Sequence, residues 1–133
     1  MSVVLVWCFE EHYTPQALRV LRQLKDDGLL VPSLWWYELE NGLLTGECRG
    51  RRKTEESVAF LKLIHALPMH TDDAPQHLIS AQIIALGRRH QLTAYDAVYL
   101  ELAVRTQASL ATFDHSLRNG ATRFGLKLIP ANI

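Results

Sequence analysis

Residues 93–114 read TAYDAVYLELAVRTQASLATFD, a stretch that is mostly apolar or small but carries one carboxylate, Asp96, near its start and another, Asp114, at its end. Thr93 is a typical N-cap residue, and the pattern from Ala94 to about Thr106 predicts a helix that is apolar nearly all round. A helix of this kind is buried, and ASLATF predicts a buried strand after it. A carboxylate beside such elements needs a partner or a cation.

The rest of the chain predicts short strands that alternate with helices. Further helices are predicted from Thr14 to Gly28, after a cap at Ser33, from Thr54 to Pro68, from Ala74 to about His90 after a cap at Asp73, and over HSLRNGATRFG. Further strands are predicted at LLVP, MHT and LKLIP. Apolar residues at helical spacing are expected to face the core, among them Val58, Leu61, Ile64, Leu78, Ile79, Ile83 and Leu86. This order predicts an α/β fold, a parallel sheet flanked by helices.

The composition is that of one globular domain over residues 1–133. Hydrophobic residues make up 48% and charged residues 21% of the chain, which excludes a disordered chain. Lys plus Arg and Asp plus Glu both number 14, so a contact with nucleic acid would need a local basic patch. The two cysteines have no CxxC spacing, and the apolar start is too short for a membrane span and lacks the features of a signal peptide. We therefore expect a cytoplasmic protein.

Three acids are candidates for a site, and each also has a structural explanation. Asp96 stands three residues after Thr93, as in a capping box. Asp114 can cap the helix that follows its strand, and Glu38 can be a solvated residue of its helix. However, ligands of parallel sheets bind at the carboxyl ends of strands, where Asp114 is predicted to lie.

A divalent cation would explain acids that lie together. Carboxylates about 4 Å apart repel by roughly 4 kcal/mol per pair at an effective dielectric near 20. Mg²⁺ takes oxygen ligands, lowers the pKa of a bound water and neutralises charge on a phosphoryl group. The histidines and cysteines lack zinc-site spacing, and no GxGxxG or phosphate-loop motif is present. The acids therefore indicate phosphodiester hydrolysis, and the basic run Arg49, Arg51, Arg52 and Lys53 is either a solvated loop or a phosphate contact.

The blocks LTAYDAVYLELA, SLATFD and VPSLWWYELENGLL resemble the PIN-domain ribonucleases, most closely the VapC-type toxins of bacterial toxin–antitoxin pairs. The resemblance implies a PIN-like three-layer fold in which acids surround one or two Mg²⁺ or Mn²⁺ ions and cleave RNA by activating water. Glu38 matches the family's helix glutamate, Asp96 its YDA aspartate and Asp114 its strand-end aspartate. Thr112 matches the hydroxyl residue before that last acid. The resemblance also implies an RNA substrate, a cognate antitoxin and a homodimer.

The start of the sequence departs from the family pattern. The family begins with a central strand that ends in the aspartate of D-x-S-V, and Ser2 matches the serine of that motif. By this match SVVLVWCF is the first helix, although its pattern alone suits a buried strand equally well. We therefore expect the first strand and its acid to be missing, either because the native start lies upstream of Met1 or because the chain is truncated.

Three functions follow from these patterns. The first is a Mg²⁺-dependent endoribonuclease toxin, in which Asp96 and Asp114 hold the metal and Glu38 assists. The second is a catalytically silent PIN-like module that binds RNA or an antitoxin. The third is a scaffold in which the acids only cap helices, so that Asp96→Asn would change stability but no RNA cleavage. An aspartate codon in frame before Met1 would favour the first over the second.

Overall fold

The computed structural model describes residues 2–6, 21, 22, 24 and 26–131, and its centre is a five-stranded sheet. The strands are β1 (Val3–Leu5), β2 (Leu29–Val31), β3 (Met69–Thr71), β4 (Ser109–Ala111) and β5 (Leu128–Ile129). Their order is β3-β2-β1-β4-β5, and every neighbouring pair is parallel. The predicted strands at LLVP, MHT, ASLATF and LKLIP are confirmed.

Five complete helices are described between these strands. They are α1 (Ser33–Cys48), α2 (Thr54–His65), α3 (Gln76–His90), α4 (Ala94–Thr106) and α5 (His115–Arg123). The predicted α/β fold with helices flanking a parallel sheet is thereby confirmed. Among the described helices, none is both long enough and apolar enough to cross a membrane.

β1 corrects the interpretation of the start of the chain. Val3–Leu5 form the central strand, parallel to β2 on one side and to β4 on the other, and all three side chains are buried. The helix predicted for SVVLVWCF is therefore wrong over its described residues, as is the prediction that the central strand is missing, while residues 7–9 lie outside the description. β-Branched residues favour strands, and a parallel strand covered on both faces needs no alternation of apolar and polar residues.

The helix predicted from Thr14 to Gly28 lies mostly outside the described residues. Leu21 and Leu24 are helical and buried, as expected for its apolar stripe. Gly28 has a φ of 78°, so it makes the left-handed turn that was predicted there. Its carbonyl then accepts a hydrogen bond of 2.9 Å from the N–H of Val3.

Two of the predicted helix starts differ from the structure. Pro32, not Ser33, is the N-cap residue of α1, and Pro75, not Asp73, is that of α3. Neither proline provides a side-chain cap. The fixed φ of proline suits the entry to a helix, which explains why both helices begin directly after a proline.

Two residues that were expected to face the core are exposed instead. Val58 in α2 and Leu78 in α3 have 49% and 69% of their surface accessible. The buried stripe of α2 is formed by Ser57, Phe60 and Ile64. Periodicity identifies the apolar residues of a helix, but only the neighbouring elements decide which face is covered.

α4 packs in the core, as its pattern predicts, and one charge is buried with it. Glu101 is 4% exposed, and its Oε1 accepts a hydrogen bond of 2.7 Å from Nε of Arg105. Nη2 of Arg105 also donates to Oδ2 of Asp72, at 2.7 Å, just beyond β3. The buried carboxylate is thus paired, and the pair joins α4 to the edge of the sheet.

The strand order defines where a ligand can enter the sheet. The chain runs outward from β1 through β2 to β3, and then returns to form β4 on the other side of β1. The direction of winding therefore changes between β1 and β4. In open parallel sheets, the crevice at the carboxyl ends of such a strand pair is the usual binding site.

Candidate functional site

Asp96 and Asp114 lie at the starts of two helices, α4 and α5. The N–H of Asp96 donates to Oγ1 of Thr93 at 3.2 Å, so Thr93 caps α4 as predicted. Asp114 is the N-cap residue of α5, and its Oδ1 accepts a hydrogen bond of 2.9 Å from the N–H of Leu117. The cap predicted at Asp114 is therefore confirmed, whereas Asp96 receives a cap from Thr93 through its backbone N–H.

The two carboxylates are also close enough to affect each other. Burial raises the pKa of Asp96 above its usual value, and the negative charge of Asp114 raises it further. The hydrogen bond with Thr93 acts in the opposite direction. The fold thus holds two acids near the end of β4 against their mutual repulsion, and a cation would relieve that repulsion.

Thr112 and Arg118 fix the end of β4 from which Asp114 projects. Thr112 is 1% exposed, and its Oγ1 accepts a hydrogen bond of 3.0 Å from the N–H of Asp114. Arg118 is 7% exposed and donates to the carbonyl of Thr112 at 2.9 Å and to that of Ala131 at 3.1 Å. Nothing in the sequence distinguishes Arg118 from a solvated helix residue, so its role was missed.

Glu38 is exposed in the second turn of α1 and is held by a tyrosine of α4. The hydroxyl of Tyr99 donates a hydrogen bond to Oε1 of Glu38. Tyr99 is 3% exposed and lies one helical turn after Asp96, so Glu38 is tied to the helix that carries that acid. Tyr99 is a second residue whose contact the sequence did not predict, since Glu38 is 61 residues away.

Glu38 does not join the two aspartates in one cluster. Within the described part of the chain, no group of three or more His, Cys, Asp or Glu side chains is placed so that it could hold a metal ion together. The structure therefore pairs Asp96 with Asp114 and places the third predicted acid beside Tyr99.

Val6 occupies the position directly after β1, on the other side of the crevice. Its N–H donates to the carbonyl of Ala111 at 3.0 Å, and its side chain packs against the core. The first strand is thus present, but the residue that follows it is apolar. Glu10 and Glu11, the next acids in the chain, lie outside the described residues.

Comparison with known proteins assigns the family. The model of the PIN domain matches residues 2–122. This chain belongs to the PIN-domain family. PIN domains are commonly nucleases, and they usually use divalent metal ions.

A solved structure from another organism has a similar fold. The crystal structure of PAE2754 from Pyrobaculum aerophilum superposes with a TM-score of 0.69, covers 98% of this chain and 93% of that one, and has 22% sequence identity. At this identity the likeness concerns the fold alone. No curated protein matches the sequence.

The basic run of this PIN domain lies at the junction of α1 and α2. Arg49 is the C-cap residue of α1 and Lys53 the N-cap residue of α2. The rise of an α-helix places Arg49 about 16 Å along the axis from Glu38. The guanidinium of Arg52 lies over the ring of Phe60, 5.7 Å from its centroid. Arg51, Arg52 and Lys53 therefore remain a predicted phosphate contact, separated from Glu38 by the length of α1.

Proposed function

We propose that this PIN domain is a Mg²⁺-dependent endoribonuclease toxin of the VapC type, which acts in the cytoplasm and is neutralised by a cognate antitoxin. It hydrolyses phosphodiester bonds of RNA. The observation that carries the proposal is the pairing of Asp96 with Asp114 at the end of β4, beside the point where the winding of the sheet reverses. A crevice at this point, lined by oxygen ligands, is suited to a metal-bound phosphate.

Two aspartates suit an open magnesium site, in which the protein does not supply every ligand of the ion. Mg²⁺ is typically held by one or two carboxylates together with waters and substrate phosphate, so a pair of acids suffices. Asp96 and Asp114 would hold the ion, and Glu38 would assist or position a water. When bound, Mg²⁺ or Mn²⁺ supplies the charge that activates water and stabilises the phosphoryl group.

The remaining residues of the site orient these acids. Thr93 and the N–H of Leu117 hold one carboxylate at the start of each helix. Thr112 fixes the backbone of Asp114, and Tyr99 holds Glu38. Carboxylates that are held before the substrate arrives need little rearrangement when the metal and the phosphate bind.

Cleavage of a labelled RNA in Mg²⁺ and in EDTA tests the proposal. We expect cleavage in Mg²⁺ only, and a loss on the order of 100-fold in Asp96→Asn, as when one electrostatic catalytic group is removed. Asp73→Asn is the matched control, because Asp73 is exposed and lies outside the site. Equal cleavage by Asp96→Asn and Asp73→Asn would show that the site is assigned wrongly.

A catalytically silent PIN domain that binds RNA or an antitoxin is the second candidate. It is favoured by the apolar end of β1, where Leu5 and Val6 stand although the family's central strand ends in an aspartate. In this case the wild-type chain binds RNA in the presence of Mg²⁺ without cleaving it, and Asp96→Asn binds equally well.

Exposed apolar residues support the part of the proposal that concerns protein partners. Leu78, Ile84 and Tyr95 are 69%, 50% and 67% exposed on α3 and α4. Ile84 and Tyr95 line an apolar cavity of about 350 Å³. Apolar surface of this kind is typical of protein interfaces, and a homodimer and an antitoxin would both require one. Light scattering of the purified chain tests for the homodimer, and co-purification with the product of the neighbouring gene tests for the antitoxin.

A further inference from the structure

A polar cavity lies between the end of α3 and one face of α5. Its volume is about 360 Å³, and the residues that line it include Arg89, His90, Ser116, Asn119, Gly120 and Arg123. Arg89 and His90 are the last two residues of α3. The residues of α5 recur every three or four positions, so they share one face of that helix.

The lining of this cavity carries positive charge. Among the described residues it contains the two arginines Arg89 and Arg123 but no carboxylate. Ser116 and Asn119 add side chains that can donate hydrogen bonds. Guanidinium groups bind phosphate oxygens in a fork geometry, with stronger bonds than neutral donors make. The chemistry of the cavity therefore matches a phosphate group.

His90 provides an independent indication of a missing ligand. Its Nε2 is buried and has no hydrogen-bond partner in the described part of the chain. Burial lowers the pKa of His90, and the charges of Arg123 and Arg89 lower it further. A buried polar atom without a partner costs about 1–3 kcal/mol. A ligand with polar oxygens could supply the partner that the protein does not.

The packing around His90 holds its ring in place. A Cβ atom at Gly120 would lie 3.7 Å from Cγ of His90, an ordinary van der Waals distance, so the backbone of α5 lies directly beside the imidazole. The ring of Phe124 contacts the imidazole edge to face, with centroids 5.6 Å apart. The imidazole of His90 is thus held in place by its neighbours and not only by its own rotamer preference.

The lining of the cavity on α5 begins close to Asp114. Ser116 is the second residue after Asp114, and the lining extends from there to Arg123. Seven residues of α-helix span about 10 Å. The cavity therefore begins a short distance along α5 from Asp114, within reach of a strand whose reacting phosphate lies at that acid.

We propose that this cavity binds a backbone phosphate of the RNA strand next to the bond that is cleaved. Arg89 and Arg123 contact that phosphate, Ser116 and Asn119 donate to its oxygens, and the strand is thereby positioned across the two aspartates. The inference rests on the proposed function and adds the residues that hold the substrate. It differs from the predicted contact at Arg51, Arg52 and Lys53, which lies at the far end of α1.

Binding of a fluorescent single-stranded RNA, measured by anisotropy in EDTA, tests this inference without any cleavage. The double variant Arg89→Gln/Arg123→Gln should raise the Kd on the order of 10-fold to 100-fold. Each phosphate contact on a single strand contributes about 0.7 to the slope of log K against log salt, so loss of this one contact should make the slope shallower by about 0.7. Arg22→Gln/Arg88→Gln is the matched control, since it removes the same charge at exposed helical positions outside the lining.

The outcomes separate this inference from the proposed function. Equal RNA affinity and salt slope in the double variant and its control would overturn the inference, even if the wild-type chain cleaves RNA. Loss of affinity in the double variant alone would support it, even if no cleavage occurs in Mg²⁺. If inorganic phosphate raises the Tm of the wild-type chain while the double variant still binds RNA normally, the cavity takes a small anion and the inference is wrong.

Single charge reversals test the same contact without depending on whether the double variant folds. Arg123→Glu should weaken RNA binding more than Arg123→Gln, whereas Arg88→Glu should behave like Arg88→Gln. Circular dichroism confirms that each variant is folded before binding is compared. Equal effects of reversal at the two positions would also contradict the inference.

Discussion

Truncation of each residue of β1 tests whether the start of the chain is the central strand. Val3, Val4 and Leu5 are 1%, 0% and 0% exposed, because the strand has neighbours on both sides and is covered on both faces. Val→Ala removes two carbon groups and Leu→Ala three, which at about 0.8 kcal/mol for each group amounts to about 1.6 and 2.4 kcal/mol. The cavity left behind adds to both, so we expect losses of roughly 2–3 kcal/mol at the valines and 3–4 kcal/mol at Leu5.

A helix at the same place predicts a different pattern. Successive residues of a helix point about 100° apart, so in a helix with one buried face at least one of the three side chains would point away from the core. That truncation would cost less than about 0.5 kcal/mol, as surface substitutions usually do. The strand predicts three substantial losses in a row.

Urea unfolding followed by circular dichroism measures these losses as shifts of the midpoint at an unchanged m value. Leu44→Ala is the control, because Leu44 is 61% exposed in α1 and its truncation should cost less than about 0.5 kcal/mol. A loss below about 1 kcal/mol at Val3, Val4 or Leu5 would refute the central strand, since burial on both faces requires more than that.

The other predictions concern the residues around the paired acids. The pKa of Asp96 is raised in the folded chain, so the unfolded chain ionises first and stability is lost as the pH rises through the raised pKa. The urea midpoint of Asp96→Asn should therefore rise relative to that of the wild type as the pH increases above the ordinary aspartate value of 3.8. A difference that does not change with pH would contradict the raised pKa. Asp114→Ala removes the carboxylate that caps the N–H of Leu117, and it should lower the free energy of unfolding, measured by thermal unfolding, by about 1 kcal/mol. Asp114→Asn keeps a capping oxygen, so its loss should be smaller. Equal losses in the two variants would exclude the capping role. Arg118→Met leaves buried carbonyl groups without their hydrogen-bond donor, so the free energy of unfolding in urea should fall by about 3 kcal/mol. A loss below about 1 kcal/mol would show that the arginine is not needed at the end of β4.

The block from Thr93 to Asp114 was predicted well because its signals are local. The apolar pattern of α4, the cap at Thr93 and the cap at Asp114 depend on residues within one helical turn of each other. The buried strand β4 follows from a short apolar run. Such features are encoded by backbone geometry and need little information from the rest of the chain.

The start of the chain shows where local signals fail. SVVLVW is compatible with a buried strand and with a buried helix, and similarity to a family motif favoured the helix. In the structure, β2 and β4 flank Val3–Leu5 and supply the hydrogen-bonding edges on both sides. A parallel strand is stabilised by partners that are distant in sequence, so the choice between strand and helix depended on them.

The candidate site divides in the same way. The acids Asp96 and Asp114 are recognisable from their residue type and position, whereas the repulsion that raises the pKa of Asp96 exists only because two helices start side by side. Tyr99 reaches Glu38 across 61 residues of sequence. Arg89 and Arg123 form one cavity only because α3 and α5 are neighbours.

The sequence by itself therefore determined the alternation of strands and helices, the caps of α4 and α5 and the acids that form the candidate site. Only the tertiary structure decided that β1 is the central strand, that Val6 follows it, and that two distant arginines line a cavity beside Asp114. The reason is that periodicity and capping are fixed by the geometry of a short segment. Pairing of strands and neighbouring charges depends instead on which segments pack together.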